Sequence, residues 1–287
     1  MKTSTLILLV IGAVLIAGCT QQPVQPAPQP TPQATTTPSA DTIGTTAGPL
    51  GTILVDARGM TLYYFANDIP ASGASSCSGQ CAVIWPVFSV DSVKVSAPLD
   101  PADFGSITRA DGTKQTTYYG WPLYYYQADT KAGDAGGENV LKIWFVIKPD
   151  ESVLIAHTTD LGLYLTDTAG KTLYYFTKDT AGTSACTGSC LATWPAFSAD
   201  PVTAPSVLKP SDFSAVSRAD GTKQTAFMGR PLYSYSGDAK PGDVNGQGFG
   251  GFWYVANVSG TTPAATPLPT TITTLSPSGG GYGGGGY

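Results

Sequence analysis

The stretch TLYYFAND (residues 61–68) returns as TLYYFTKD (residues 172–179), and this repetition organises the whole middle of the chain. Beyond this stretch a constant offset of 109 residues relates two long segments, so that RADGTKQT (residues 109–116) recurs unchanged at residues 218–225. Two cysteines and a tryptophan of the first copy repeat at the same offset in the second: Cys77, Cys81 and Trp85 fall on Cys186, Cys190 and Trp194. The sequence therefore predicts two tandem homologous domains, near residues 49–156 and 157–258, each of ordinary domain size.

A weaker repeat lies inside each copy. LYYFAND (62–68) is similar to LYYYQAD (123–129), and LYYFTKD (173–179) is similar to LYSYSGD (232–238). The shared form is Tyr-x-[Phe/Tyr]-x-x-Asp, here called the motif. Its twelve residues are Tyr63, Phe65, Asp68, Tyr124, Tyr126, Asp129, Tyr174, Phe176, Asp179, Tyr233, Tyr235 and Asp238.

The N-terminus indicates export. Lys2 is followed by a short apolar run, residues 6–16, which is too short for an ordinary membrane-spanning helix. Small residues then precede Cys19, as in the lipobox of prokaryotic lipoproteins. We expect residues 1–18 to be a lipoprotein signal peptide and Cys19 to carry a lipid that anchors the protein to the outer face of the cell membrane. The alternative is a plain signal peptide in which Cys19 is incidental.

The motif, the Cys-x3-Cys pairs and the lipobox together resemble a known family. It comprises predicted lipoproteins built from tandem secreted repeats of unknown function, with a Tyr-x-[Phe/Trp/Tyr]-x-x-Asp motif. The resemblance covers roughly residues 50–258 and the lipobox. It implies an exported lipoprotein, and it brings no established activity and no catalytic residues.

Two low-complexity segments flank the repeats. Residues 19–48 are rich in Pro, Thr and Gln, which predicts a disordered tether. Residues 259–287 are rich in Thr and Pro and then in Gly, with Tyr282 and Tyr287, which predicts a disordered tail. A tail that uses its tyrosines for self-association or wall contact is the alternative.

The pattern of the repeats predicts an all-β fold with only short helical turns. Short β-branched and aromatic runs alternate with Gly-rich turns, among them DARG (56–59) before the first motif and Asp111-Gly112 in the repeated octapeptide. We expect two tandem homologous small β domains, each with an internal two-fold motif repeat. Sandwich, barrel and propeller-like arrangements all fit.

The motif has a structural interpretation and a functional one. In a strand Tyr63 and Phe65 point to the same face, which predicts packing of the two aromatic rings. Asp68 ends the strand, where its carboxylate can accept hydrogen bonds from turn amides. The functional alternative makes the aromatic rings a platform for sugars and the aspartates ligands for sugar hydroxyls or a cation. The structural interpretation is preferred because the pattern recurs at every strand of its type.

The cysteines that remain after Cys19 form two local pairs. In an exported protein this predicts the disulfides Cys77–Cys81 and Cys186–Cys190. The alternative is a Cu(I)-binding or thiol-redox role, since soft thiolates suit copper. No cofactor is predicted otherwise, because zinc needs more ligands than a pair supplies and no haem-attachment sequence is present.

Composition and motifs narrow the functional classes further. Only 12% of the residues are charged, the net charge is −5 and no Lys/Arg cluster occurs, so nucleic acid is not an expected partner. No recognised catalytic signature is present, and no enzymatic activity is predicted. Three other features remain. His157 could be a base, but a linker residue is the preferred interpretation, and Asn257 is a possible glycosylation acceptor in a three-residue sequence that often arises by chance. The charged residues repeated as a block are interpreted as solvated turn residues: Arg109, Asp111 and Lys114 with Arg218, Asp220 and Lys223.

The function predicted from these features is that of a displayed, non-catalytic surface protein. It would contact the membrane through its lipid, and an envelope glycan or another surface protein through its repeats. Two linked copies raise avidity without new chemistry.

Overall fold

The structure is a computed structural model that describes residues 42–259. Within that range the regular secondary structure is mainly strands, with only short helices, which confirms the predicted all-β class. The strands are β1 (Thr42–Gly48), β2 (Gly51–Val55), β3 (Tyr63–Phe65), β4 (Lys94–Val95), β5 (Phe104–Thr108), β6 (Lys114–Tyr118), β7 (Trp121–Pro122), β8 (Trp144–Val146), β9 (Leu154–Thr158), β10 (Gly162–Thr166), β11 (Tyr174–Phe176), β12 (Phe213–Ser217), β13 (Lys223–Phe227), β14 (Arg230–Pro231) and β15 (Trp253–Val255). The helices are α1 (Gln80–Ile84) and α2 (Cys190–Thr193), with 3-10 turns at Pro101–Asp103, Val140–Lys142, Pro210–Asp212 and Phe249–Gly251. In this part of the chain no helix is both long enough and apolar enough to cross a membrane.

The two copies use their strands in the same way. Each begins with an antiparallel hairpin, β1–β2 or β9–β10, and contains a second hairpin, β5–β6 or β12–β13. In each copy the first motif strand pairs antiparallel with the last strand, β3 with β8 and β11 with β15. The described strands form six sheets of two or three strands each.

The two predicted hairpin turns have different outcomes. The Asp111-Gly112 turn joins β5 to β6, and Gly112 supplies the positive φ of 84° that the turn needs. The turn at residues 56–59 also forms, but it does not join a regular hairpin. It is followed by an isolated bridge between Val55 and Thr61 and by the hydrogen bonds Asp56 N to Met60 O and Leu62 N to Leu54 O, both 2.9 Å, while the regular partner of β2 is β1 and that of β3 is β8.

The predicted tether extends too far along the chain. Residues 42–48, which were assigned to it, form β1, which pairs with β2 and also, in parallel, with β4. Ile43 is completely buried and belongs to the main hydrophobic core. One buried apolar side chain, together with backbone pairing on both sides, holds this threonine-rich strand in the fold. The average composition of the segment does not reveal that single apolar residue. The predicted signal peptide (1–18), Cys19, the rest of the predicted tether up to residue 41 and all but residue 259 of the predicted tail (259–287) lie outside the described residues.

The predicted boundary between residues 156 and 157 falls inside β9. This strand opens the second copy, yet its residues also pack on the first. The backbone amide of His157 donates to the carbonyl of Ala66 at 2.8 Å, and Trp121 Nε1 donates to the Thr168 carbonyl at 3.1 Å. One buried cluster contains residues of both copies. The two copies therefore share a core within a single compact unit.

A two-residue difference between the copies lies at this junction. The first copy carries the longer loop DIPASGASSC (68–77), and its Ile69 and Pro70 face the second copy at Gly242 and Gly170. A Cβ on Gly170 would lie 2.2 Å from Pro70 Cγ, and one on Gly242 would lie 2.9 Å from Ile69 Cγ2. Both glycines have positive φ. The longer loop is therefore part of the contact between the two copies, and it packs against glycine residues of the second copy.

Candidate functional site

The motif tyrosines of one copy meet each other across its internal two-fold repeat. Tyr63 N donates to the Tyr124 carbonyl at 2.9 Å, and Tyr124 N donates to the Tyr63 carbonyl at 3.0 Å. Their hydroxyl groups then cross over. Tyr63 donates to Asp129 Oδ2 at 2.5 Å, and Tyr124 donates to Asp68 Oδ2 at 2.6 Å. Each tyrosine is thus bonded to the aspartate of the other motif.

The second copy repeats this exchange. Tyr174 donates to Asp238 Oδ2 at 2.6 Å, and Tyr233 donates to Asp179 Oδ2 at 2.8 Å. Reciprocal backbone bonds again join the two tyrosines. Each copy therefore needs both of its motifs to form this pair of reciprocal Tyr–Asp hydrogen bonds, which holds its two halves together.

The second oxygen of each motif carboxylate binds a loop amide. Asp68 Oδ1 accepts from Ser76 N at 2.6 Å, and Asp129 Oδ1 accepts from Gly136 N at 2.9 Å. Asp179 and Asp238 make the same bonds to the amides of residues 185 and 245. These amides lie six to eight residues downstream, so the aspartates fix longer loops rather than the tight turn that the sequence suggested.

Burial raises the pKa of three motif carboxyl groups and of the motif tyrosines. It raises the pKa of Asp68 from 3.8 to about 6, and it also raises the pKa of Asp179 and Asp238. Burial is likewise the main cause of the strongly raised pKa of Tyr63 and Tyr124. The tyrosines therefore remain protonated donors. Because both oxygens of each carboxylate are engaged, the arrangement serves to hold the halves together rather than to accept a proton from a substrate.

The other motif aromatics close the ends of a stack of four rings. Phe65 stacks on Trp144 with ring centroids 4.2 Å apart, Trp144 stacks on Trp85 at 3.8 Å, and Trp85 lies 4.5 Å from Tyr126. The second copy contains the same column, made of Phe176, Trp253, Trp194 and Tyr235, in that order. We call these two stacks the aromatic columns. Their tryptophans are buried, so the columns belong to the core and offer no open platform for a sugar.

The pairing of the two tryptophans is the feature that sequence reasoning missed. A signal was present, because Trp85 follows Tyr63 by 22 residues and Trp144 follows Tyr124 by 20. Each half of a copy thus contributes one motif and one tryptophan. That spacing marks Trp85 and Trp144 as internal equivalents.

Both predicted disulfides are present, Cys77–Cys81 and Cys186–Cys190. Each lies beside a buried arginine. Arg109 donates to Ser75 Oγ and Gln115 Oε1, both at 2.7 Å, and to the Cys77 carbonyl. Arg218 has the equivalent partners in the second copy.

The prediction that Arg109 and Arg218 are solvated turn residues is therefore wrong. Their side chains turn inward to satisfy loop carbonyls that the disulfide segment leaves without strand partners. The neighbouring Asp111 and Asp220 are exposed, as expected, and accept hydrogen bonds from threonines of their own turns. Lys114 and Lys223 are also exposed.

The two remaining predicted residues, His157 and Asn257, are both hydrogen-bonded within the fold. His157 is part of β9, and its Nδ1 lies 2.7 Å from Asn67 Oδ1 of the first copy, so it connects the copies rather than lying in a linker. Asn257 donates through Nδ2 to the Leu161 carbonyl at 2.8 Å. Its amide nitrogen is thus already bonded within the fold.

Metal binding was the alternative for the cysteines. Across residues 42–259 no group of three or more His, Cys, Asp or Glu side chains is arranged to hold a metal ion. The sulfur atoms of both pairs are joined to each other, so neither pair offers thiolates to copper in this structure.

These features define a class of protein, a tandem β repeat whose halves are locked by reciprocal motifs. A family model described as a secreted repeat of unknown function matches residues 44–89, 105–148, 156–198 and 214–257. Each matched segment contains one motif and one column tryptophan. The matches cover more than half of the chain, and the chain belongs to this family of secreted repeats. It is accordingly an extracytoplasmic protein. Comparison with curated proteins and with solved structures found no match.

Proposed function

We propose that this chain is a lipid-anchored, non-catalytic binding module that contacts an envelope glycan or a surface protein. The observation that carries the proposal is a set of exposed apolar side chains beside the aromatic columns. We call this set the apolar rim and define it as Val83, Ile84 and Leu141 in the first copy and Phe249 in the second. The rim is distinct from the motif, whose polar groups are engaged in the fold.

The rim borders the outer end of each column. The Ile84 carbonyl accepts from the amide of Gln127, next to the column residue Tyr126. In the second copy Phe249 lies 5.7 Å from the ring of Trp194 and 5.5 Å from the ring of Tyr235. The rim thus adjoins the first column at Ile84 and the second column at Phe249.

Leu141 supports the proposal most directly. Its side chain is 78% exposed, and its backbone has a positive φ of 52°. The left-handed conformation costs a non-glycine residue about 1–2 kcal/mol. The second copy has Gly250 at the equivalent position. Folding alone does not account for an exposed leucine on strained backbone, whereas display for a partner does.

The tandem arrangement suits binding at a surface. The two copies form one compact unit, so both parts of the rim are presented by one body. Two weak sites on a linked pair raise the overall avidity. The low content of charged residues suits contact with a neutral polymer or an apolar protein patch.

The test is binding of the purified full chain to isolated cell envelope and to a panel of glycans. We expect Leu141→Asp combined with Phe249→Asp to abolish the binding that the wild type shows. Asp220→Ala, on the exposed turn between β12 and β13, is the matched control and should bind normally. Binding that both variants retain would contradict the proposed role of the rim. A turnover reaction catalysed by the wild type would contradict the non-catalytic role.

The alternative copper or thiol-redox role has no supporting observation among the described residues. Each cysteine pair is closed by a disulfide bond, and its loop is held by a buried arginine. Stoichiometric Cu(I) bound by the reduced protein and lost on Cys→Ala substitution would support that role instead.

A further inference from the structure

We infer that the cleft between the two copies is a binding site for a small organic anion, a carboxylate with a short apolar chain. The cleft has a volume of about 390 Å³. It lies between Pro49, Leu50 and Lys148 of the first copy and residues of the segment 202–213 of the second, which leads into β12. None of the four rim residues lines it, so the inference does not rest on the proposed function.

The walls of the cleft suit the apolar part of such a ligand. Leu50, Val202 and Leu208 line it, together with Phe213 at the start of β12. Pockets for small molecules typically have mostly apolar walls, a few well-placed polar groups and volumes of about 300–1,000 Å³, and they occur preferentially at domain interfaces. The cleft combines these features at the junction of the two copies.

The polar side chains that line the cleft are hydrogen-bond donors. Lys148 is 7% exposed, and its Nζ donates to the carbonyl of Ala204 at 2.7 Å. Because Ala204 also lines the cleft, the ammonium group lies at its wall. Lys209 and the hydroxyl of Thr203 supply further donors. Among the described residues that line the cleft there is no aspartate or glutamate, so the charge of the lining favours an anionic ligand.

The charge of Lys148 is only partly balanced within the fold. Its Nζ lies 3.5 Å from Glu151 Oε1. Burial raises the pKa of Glu151 to about 8, so this carboxyl carries less than a full negative charge at neutral pH. A buried ammonium group without a full counter-charge is costly, and an anion bound in the cleft would reduce that cost.

Lys209 departs from the equivalent residue of the first copy, Asp100. The Asp100 side chain accepts from the amide of Ala102 at 2.9 Å and so caps the turn Pro101–Asp103. Lys209 stands at the start of the matching turn in the second copy and makes no such bond with its side chain. Aspartate is among the residues preferred at this position, so the stability of the turn does not explain the lysine. Within residues 42–259 the exposed ammonium of Lys209 has no hydrogen-bond or ion-pair partner, which leaves it available to a ligand.

The test is calorimetric titration of the full chain with sodium hexanoate, at neutral pH and low salt. We expect saturable binding of one hexanoate per chain. Hexylamine has the same apolar chain and the opposite charge, and inorganic phosphate has negative charge and no chain. Each should bind at least about tenfold more weakly than hexanoate.

Lys209→Asp separates the ligand site from the fold. This variant restores the capping residue of the first copy, so its Tm should be equal to or higher than that of the wild type. Its affinity for hexanoate should nevertheless fall by at least about tenfold, because the charge beside the carboxylate is reversed. Lys114→Gln removes an exposed charge on β6, outside the cleft, and is the matched control that should bind hexanoate normally. Leu141→Asp combined with Phe249→Asp should also bind hexanoate normally, which keeps this site distinguishable from the rim.

Four results would overturn the inference. Hexanoate could fail to bind saturably, or it could bind Lys209→Asp as tightly as the wild type. Hexylamine that binds as tightly as hexanoate would show that the cleft does not recognise the negative charge. Phosphate that binds as tightly as hexanoate would show that the apolar walls do not contribute.

Discussion

At the scale of the residue, the motif consists of tyrosine and aspartate side chains that bind their counterparts in the other motif of the same copy. The hydroxyl of Tyr63 reaches a carboxylate 66 positions away, while the aspartate of its own motif accepts from Tyr124. Burial makes each bond matter, because a buried acceptor left without its donor costs about 1–3 kcal/mol. The strained and exposed Leu141 is the contrasting case, since the fold gains nothing evident from it.

The variant Leu141→Gly tests whether this side chain serves binding to a partner or the stability of the fold. We expect its free energy of unfolding to be unchanged or raised by up to about 1 kcal/mol, because relief of the left-handed strain is partly offset by the entropy of glycine in the unfolded chain. Binding to envelope should nevertheless weaken, because the exposed side chain is removed. Denaturant titration and the binding assay check the two parts. A clear loss of stability would show that Leu141 serves the fold.

Part of the motif could be read from the sequence at this scale. Alternation along a strand correctly predicts that Tyr63 and Phe65 share a face, since both rings lie in the same buried cluster with Trp85 and Trp144. The exchange of hydrogen-bond partners between motifs could not be predicted. A local pattern indicates to which face of a strand a side chain points, but not which distant residue it contacts. The inward turn of Arg109 was missed for the same reason.

At the scale of the element, the disulfide segments and the junction do most of the positioning. Each disulfide closes the loop that leads through a short helix into a column tryptophan. The Asp-Gly turn of β5–β6 was predictable because its chemistry is local. The packing of β9 on the first copy was not predictable. The repeat offset identifies equivalent residues in the two copies, but it does not show which strand packs on which copy.

Cys77→Ala with Cys81→Ala tests the first of these elements. We expect a loss of about 2 kcal/mol in the free energy of unfolding, the amount that closing so short a loop contributes in the chain-entropy model. The equivalent pair of substitutions at Cys186 and Cys190 should cost a similar amount, since its surroundings are the same. Thermal or denaturant unfolding measures both. A loss of function without any loss of stability would instead indicate a redox role.

Glu151→Gln tests the junction through pH. Burial raises the pKa of Glu151 from 4.5 to about 8, despite the opposing charge of Lys148. Between these two values the folded protein binds the proton more tightly than the unfolded chain, so stability from this group falls as the pH rises. The free energy of unfolding of the wild type, taken relative to Glu151→Gln, should therefore decrease from pH 5 to pH 8. A difference that is constant or that increases would contradict the burial of this carboxyl.

At the scale of the whole molecule, two copies share one core and form a single compact unit. The sequence predicted the duplication and the export, and the family match confirms the tandem secreted repeats. The predicted boundary between residues 156 and 157 lies inside β9, a strand that belongs to the second copy by sequence and also packs on the first.

Cys19→Ala tests the proposed anchoring. We expect the wild type to fractionate with membranes and to carry a lipid on Cys19, because one acyl-modified end favours the membrane surface. The variant should lose the lipid and leave the membrane fraction. Membrane fractionation and mass spectrometry of the N-terminal peptide measure these outcomes. A variant that stays with the membrane would mean that another part of the chain holds it there.

The central claim is that the motif locks the two halves of each copy together by exchange, and a double-mutant cycle tests it most directly. The free energy of unfolding is measured for Tyr63→Phe, for Asp129→Ala and for the two combined, and the same cycle is run with Asp68→Ala in place of Asp129→Ala. The exchange predicts a coupling of about 1–3 kcal/mol between Tyr63 and Asp129 and less than about 0.5 kcal/mol between Tyr63 and Asp68. Coupling within one motif, with none between Tyr63 and Asp129, would contradict it.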